Sequence, residues 1–166
     1  MKNIILVGFM GTGKTAVGKA LARRLKMKFV DMDDLIEGRE GMKIPDIFAS
    51  KGEPYFRSVE KEVAREVSAQ SGLVIAAGGG AVIDGENVKN LKSSGVMVCL
   101  TATADKILGR TRAHTHRPLL NVSDPKEKIS ELLAKRAEYY ARADYRIDTS
   151  ELSIDEVVRK ITEMAK

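Results

Sequence analysis

The stretch Gly8-Phe9-Met10-Gly11-Thr12-Gly13-Lys14-Thr15 satisfies G-x-x-x-x-G-K-[ST]. Glycines at these places let a backbone wrap closely around an anion, where successive N–H groups and a helix N-terminus converge on phosphate oxygens. Lys14 would reach the outer phosphates of a nucleoside triphosphate, and the Thr15 hydroxyl would ligate magnesium. An apolar run, Ile4 to Val7, precedes the motif and an amphipathic stretch follows it, the context such a loop needs.

A second run closes with Phe29-Val30-Asp31-Met32-Asp33. If strand geometry extends through it, Asp31 and Asp33 fall on one side of the strand end. Two anions so close need a cation or donors between them. Magnesium shared with Thr15 would serve one, and a substrate hydroxyl would serve the other. Helix capping is the alternative use of such residues, and Asp34, with Glu37 three positions later, suits that role. Many phosphate-loop proteins end a later strand in a metal-holding Asp. Here the run Leu73 to Ala77 ends in Gly78-Gly79-Gly80 instead, so the metal's work would fall to Asp31. The triple glycine permits close approach of backbone to ligand, or is simply a flexible turn.

Arginines supply the third kind of chemistry. Arg57 falls early in a helix from Pro54 and misses its apolar stripe of Phe56, Val59, Val63 and Val67. Exposed pairing with Glu53 or Glu60 is one reading of it. Arg136 interrupts the face formed by Ile129, Leu133, Tyr140 and Ala143, so it either snorkels to the edge or faces an anion. Two such forks converging would suit a carboxylate. Arg110, Arg112 and Arg117 belong to a basic, polar segment from about Gly109 to Asn121, which reads as a surface segment able to close over transferring phosphates. His114 and His116 form an H-x-H pair with no third ligand nearby, which makes a poor metal site.

The elements that must position these groups alternate. Strands are expected at Ile4 to Val7, Lys28 to Asp31, Leu73 to Ala77, Val96 to Leu100 and Tyr145 to Ile147. Helices are expected at about Thr15 to Leu25, Asp34 to Glu40, Pro54 to Gln70, Gly85 to Leu91, Asp105 to Thr111 and Pro125 to Ala143, with a last one from near Ile154. Alternation of this kind implies an α/β fold, a parallel sheet covered on both faces, with the site beyond the carboxyl ends of its strands. The unusual residues fall there.

Composition narrows the classes. With 28 Lys plus Arg against 23 Asp plus Glu in 166 residues, the net charge is +5. No Trp, few aromatic residues and no long basic run argue against nucleic acid as partner. No apolar stretch approaches a membrane span. The lone cysteine, Cys99, excludes a disulfide framework and fits a reducing, cytoplasmic compartment.

These motifs in this order resemble the shikimate kinases along essentially the whole chain. The likeness rests on the G-x-x-G-x-G-K-T loop, Asp31-Met32-Asp33, Phe56-Arg57 to Glu60, Gly78-Gly79-Gly80, Arg117-Pro118-Leu119 and Lys135-Arg136. The resemblance implies a single domain over residues 1–166 with a three-layer P-loop kinase fold and a five-stranded parallel sheet. It implies a substrate-binding region at about 32–61 and a lid at about 109–121. By position, Gly11, Thr12, Gly13, Lys14, Thr15 and Ala16 would hold ATP, and Thr15 with Asp31 would bind Mg2+. Asp33 would meet the 3-hydroxyl of shikimate, while Arg57, Gly79 and Arg136 would hold the rest of that substrate. Lys14, Asp33 and Arg117 would be the catalytic groups, Arg117 acting from the lid, and Arg110 would lie against the adenine. The loop Thr149-Ser150-Glu151-Leu152 lacks the basic residue and proline that some relatives carry there. The expected protein is a monomeric enzyme phosphorylating shikimate. The rival readings are a gluconate or nucleoside monophosphate kinase, and a non-catalytic ATP-binding module.

Overall fold

In the computed structural model, which describes residues 1–111 and 123–166, five parallel strands form one sheet in the order β2-β3-β1-β4-β5. They are β1 (Asn3–Val7), β2 (Lys28–Asp31), β3 (Leu73–Ala76), β4 (Gly95–Thr101) and β5 (Tyr145–Asp148). The helices are α1 (Lys14–Leu25), α2 (Met32–Glu40), α3 (Ile44–Lys51), α4 (Glu53–Ser68), α5 (Gly85–Ser94), α6 (Ala104–Thr111), α7 (Pro125–Tyr140) and α8 (Ile154–Met164). A 3-10 turn, Ala81–Ile83, follows the triple glycine.

The alternating inward and outward residues of the central strands divide the core in two. On one face Ile4, Leu6, Val74, Val98 and Leu100 pack against Val17 and Leu21 of α1 and Val157 and Ile161 of α8. On the other, Ile5, Val7, Ile75 and Met97 meet Val63 of α4, Leu91 of α5 and Ile107 of α6. Each such aliphatic side chain, fully withdrawn from water, contributes about 1.5–3 kcal/mol. Asn3, wholly buried in β1, is a polar tie in this apolar layer. Its Nδ2 donates to the Gln70 carbonyl at 2.9 Å and its Oδ1 accepts from the Leu73 N–H at 2.9 Å, fixing where β3 begins against β1. Cys99 is buried in β4, and burial pushes its thiol up to about 11, so it packs rather than reacts.

The sequence-based helices and strands are found with ends shifted by a few residues, and two differences bear on the site. No element was expected between Glu40 and Pro54, yet α3 occupies residues Ile44–Lys51, flanked by Gly41 and Gly52 and burying chiefly Ile47. And β2 stops at Asp31, so Asp33 lies in the first turn of α2 rather than on a strand end. Asp31, not Asp34, is the N-cap: its Oδ1 accepts from the N–H groups of Asp33 at 2.9 Å and Asp34 at 3.3 Å. The helix takes the first carboxylate that reaches it.

Because β3 and β4 lie on opposite sides of β1, the chain switches direction across the sheet at the carboxyl end of β1, where α/β folds bind ligands. The phosphate loop, Asp31, the triple glycine and Thr149 all follow strand ends and gather on that edge.

Candidate active site

The loop between β1 and α1 is shaped by its glycines. Gly8, Gly11 and Gly13 have φ of 138°, 79° and 100°, values that side-chain-bearing residues rarely adopt. At Gly8 a Cβ would also collide with the Leu100 carbonyl oxygen. The loop is tied internally by Thr12 Oγ1, which donates to the Phe9 carbonyl at 2.7 Å. Lys14 Nζ lies across the cradle, 2.6 Å from the Gly8 carbonyl oxygen and 3.0 Å from that of Phe9. Helix α1 starts at Lys14 with Gly13 as its cap and, among the described residues, no side-chain cap hydrogen bond. That is the arrangement of a phosphate site.

Thr15 Oγ1 donates to Asp31 Oδ2 at 3.3 Å, while the other oxygen of Asp31 is committed to capping α2. These two oxygens fit the protein's share of a magnesium site, which usually takes one or two protein groups plus phosphates and water. Among the described residues no group of three or more His, Cys, Asp or Glu is placed to hold a metal by itself.

Behind the loop, Arg110 of α6 donates from Nη1 to the Gly11 carbonyl at 3.2 Å and to Thr149 Oγ1 at 3.1 Å, and from Nη2 to the Thr149 carbonyl at 3.0 Å. Thr149 Oγ1 also lies 2.9 Å from the Thr12 carbonyl oxygen and 3.0 Å from that of Thr101. The edge of the guanidinium is thus engaged and its flat face is what it can offer a base. Thr149 joins the phosphate loop, β4 and α6. In the sequence Thr149 stands out only as part of a loop that lacks a basic residue and proline.

On the other side of the loop the triple glycine is the meeting point. A Cβ on Gly78 would stand 2.8 Å from Asp33 Oδ1 and 3.3 Å from Glu60 Oε2. On Gly79 it would stand 3.5 Å from Arg136 Nη1, and on Gly80 only 2.7 Å and 2.8 Å from the terminal nitrogens of Arg57. Gly78 and Gly80 therefore make room for Asp33 and Arg57, Gly79 borders Arg136 at ordinary contact distance, and Asp33, Arg57, Gly79 and Arg136 come together. Gly79 also stands near the Gly8 carbonyl and the Met10 N–H, so this group borders the phosphate loop directly.

The two arginines differ. Arg57 is half-buried and paired, its Nη1 3.0 Å from Glu60 Oε1 and its Nη2 3.4 Å from Glu53 Oε1. The partners considered from sequence are correct, but Glu60 is only 2% exposed, so this is not a surface pairing. Burial pushes the Glu60 carboxyl above its ordinary 4.5, opposed by the charge and hydrogen bond of Arg57. Arg136 is 8% exposed and lies over the Phe9 ring, 5.6 Å from its centre. Among the described residues no carboxylate forms an ion pair with it. A buried cation in that position is suited to an anionic ligand.

A cavity of about 350 Å³ is lined by Glu53, Arg57, Glu60, Gly80, Ile83 and Asp84. It reaches Arg57 and Gly80 but not Asp33 or Arg136, so it marks the outer approach to the glycine turn. Arg117, Arg112, His114 and His116 lie outside the described residues, as does nearly all of the expected lid. Glu60 and Tyr140 are the contributors that sequence reasoning undervalued. Glu60 sits on the apolar stripe of α4 between Val59 and Val63, and a carboxylate on such a stripe is the signal that was available.

A parallel sheet with a phosphate loop at its switch point and an arginine-bearing acceptor side beside it defines a P-loop phosphotransferase. A family model described as shikimate kinase matches residues 10–166. The shikimate kinase of Thermodesulfovibrio yellowstonii is 49% identical over 97% of this chain and 93% of its own length. That of Geobacter metallireducens is 47% identical over 98% and 90% respectively. A solved shikimate kinase from Acinetobacter baumannii, in complex with shikimate, superimposes with a TM-score of 0.94 at 39% identity, covering 99% of this chain and 92% of that one. The chain belongs to the shikimate kinase family, and ATP is the family's co-substrate.

Proposed function

We propose that the protein transfers the γ-phosphoryl group of ATP directly to the 3-hydroxyl of shikimate, giving shikimate 3-phosphate and ADP on the route to chorismate and the aromatic amino acids. The observation that carries this reading is Arg136: a buried guanidinium without a carboxylate partner among the described residues, stacked on the phosphate loop's Phe9 and separated from Arg57 by the turn Gly79-Gly80. That arrangement suits a small carboxylate held beside the transferring phosphate.

In this reading Gly11 to Ala16 cradle the phosphates through backbone N–H groups, and Lys14 meets the outer ones. Thr15 and Asp31 hold magnesium, which, when bound, neutralises charge on the β- and γ-phosphates. Arg110 offers its flat face to the adenine. Arg57, Gly79 and Arg136 fix the acid's carboxylate and orient its ring, and Asp33 orients the hydroxyl that attacks. The new bond joins that oxygen to the γ-phosphorus as the bond to the β-phosphate oxygen breaks. Because such transition states are loose, Asp33 need only take the proton late. Arg117 completes the site from a lid at about 109–121, above a substrate-binding region at about 32–61. A cytoplasmic monomer belongs to the same reading, the compartment supported by the lone buried cysteine and the monomer by the single domain.

A coupled ADP-release assay offering shikimate, gluconate and nucleoside monophosphates separately tests it. The expected result is turnover with shikimate alone. Turnover only with a nucleotide, or none dependent on an acceptor, would overturn it.

A further inference from the structure

The segment Gly79–Val82 is pinned from behind by three side chains. Tyr140 of α7 donates from its hydroxyl to the Gly79 carbonyl at 2.7 Å, Asn87 of α5 donates from Nδ2 to the Ala81 carbonyl at 3.1 Å, and Arg142 donates from Nη1 to the Val82 carbonyl at 3.1 Å. Of these, only Tyr140 touches a peptide of the triple glycine, and it sits one helical turn beyond Arg136 on the same face of α7. Burial pushes the Tyr140 phenol above its ordinary range, and the charge of Arg136, close by on the same helix face, opposes that push. The hydroxyl therefore has its proton directed to Gly79.

We propose that Tyr140 is a positioning residue for the acceptor, setting at once the direction of the Gly80 N–H and the placement of the Arg136 guanidinium. The first effect follows from the planar trans peptide: with the Gly79 carbonyl held toward Tyr140, the N–H of Gly80 in the same peptide points the opposite way. Donation to that carbonyl also polarises the peptide and strengthens its N–H as a donor. The second effect follows from burial. Arg136 is buried over the Phe9 ring, and its Nη1 stands 3.5 Å from the position a Gly79 Cβ would take, so its place depends on the turn that Tyr140 holds. A single hydroxyl thus couples the backbone and side-chain halves of a carboxylate site. This inference rests on the shikimate reading above.

The test is Tyr140→Phe, which keeps the ring that fills the core and removes only the oxygen, measured by steady-state kinetics with shikimate and ATP varied in turn and by thermal melting. Loss of the hydrogen bond that holds the Gly79 peptide predicts a rise of about tenfold in the KM for shikimate. The KM for ATP should change less than about twofold, and the melting temperature should fall only by a few degrees. Arg142→Ala, which removes the donor to the more distant Val82 carbonyl, should leave the shikimate KM unchanged. An unaltered shikimate KM in Tyr140→Phe, an equal rise for both substrates, or a matching rise in Arg142→Ala would each overturn the role assigned to Tyr140. Absence of shikimate turnover by the unsubstituted protein would overturn the functional reading as well, so the two failures are distinguishable.

Discussion

The two halves of this site are built in opposite ways. The half proposed for ATP is essentially one continuous segment, Gly8 to Ala16, whose proposed chemistry lies in backbone N–H groups. Its glycines are there for conformation, with φ of 138°, 79° and 100° at Gly8, Gly11 and Gly13. The acceptor half draws Asp33 from α2, Arg57 and Glu60 from α4, and Arg136 and Tyr140 from α7 around Gly78-Gly79-Gly80. There glycine is needed for room: Gly80 has an ordinary φ of −103°, and the space its missing Cβ leaves is filled by Arg57. A phosphate can be met by a folded-back chain alone, whereas a small ring bearing a carboxylate and hydroxyls needs side chains arriving from several directions.

If that contrast is correct, substitutions on the two halves should separate. Lys14→Ala should lower kcat by about 10³-fold, as removal of a cation facing transferring phosphates does, with little change in melting temperature. Retained turnover would remove the loop from the chemistry. Gly8→Ala, which forces both a strained φ and a collision with the Leu100 carbonyl, should cost about 2–3 kcal/mol of stability, read by denaturant unfolding. Gly80→Ala should behave differently, because the clashing atoms are the movable end of Arg57. Its expected signature is near-normal stability with a shikimate KM raised about tenfold. Equal loss of stability in the two alanine variants would erase the distinction between the two uses of glycine. Thr149→Val removes the hydroxyl that joins Arg110 to the phosphate loop and should cost about 1 kcal/mol, with ATP affinity reduced and shikimate affinity kept.

The smallest effect concerns Glu60. Its folded carboxyl titrates above its ordinary 4.5, so the native state binds the proton more tightly than the unfolded chain. The stability tied to that proton is fully present below 4.5 and is lost as pH rises through the folded value. The melting temperature of the unsubstituted protein minus that of Glu60→Gln should therefore decline on going from about pH 4 to about pH 7. A difference that grows over that range would show that Arg57, rather than burial, dominates.

How much could be read in advance follows the same division. The phosphate loop was legible because its residues are adjacent and its spacing is set by local backbone geometry. The parallel sheet was legible because buried strands and amphipathic helices alternate. Arg136 stood out as a cation on an apolar face, but nothing local to it showed that Phe9, some 127 positions earlier (136 − 9), would lie beneath it. Asp31 and Asp33 stand out in the sequence as a pair, yet their geometry does not, because a helix begins one residue after Asp31 and takes that carboxylate as its cap. Tyr140 read as core because a phenol's apolar body satisfies the stripe, and its hydroxyl acquires meaning only against Gly79, 61 residues away. Helix α3 was hidden by the glycines on either side of it.

The central claim is that Arg136 meets the substrate's carboxylate. Binding of shikimate and of its carboxamide analogue, measured by titration calorimetry to the unsubstituted protein and to Arg136→Ala, tests it most directly. The account predicts that the unsubstituted protein prefers the acid by about 10²-fold, the worth of a charge-assisted pair in a buried site, and that Arg136→Ala binds the two nearly alike. Undiminished preference for the acid in Arg136→Ala would contradict it.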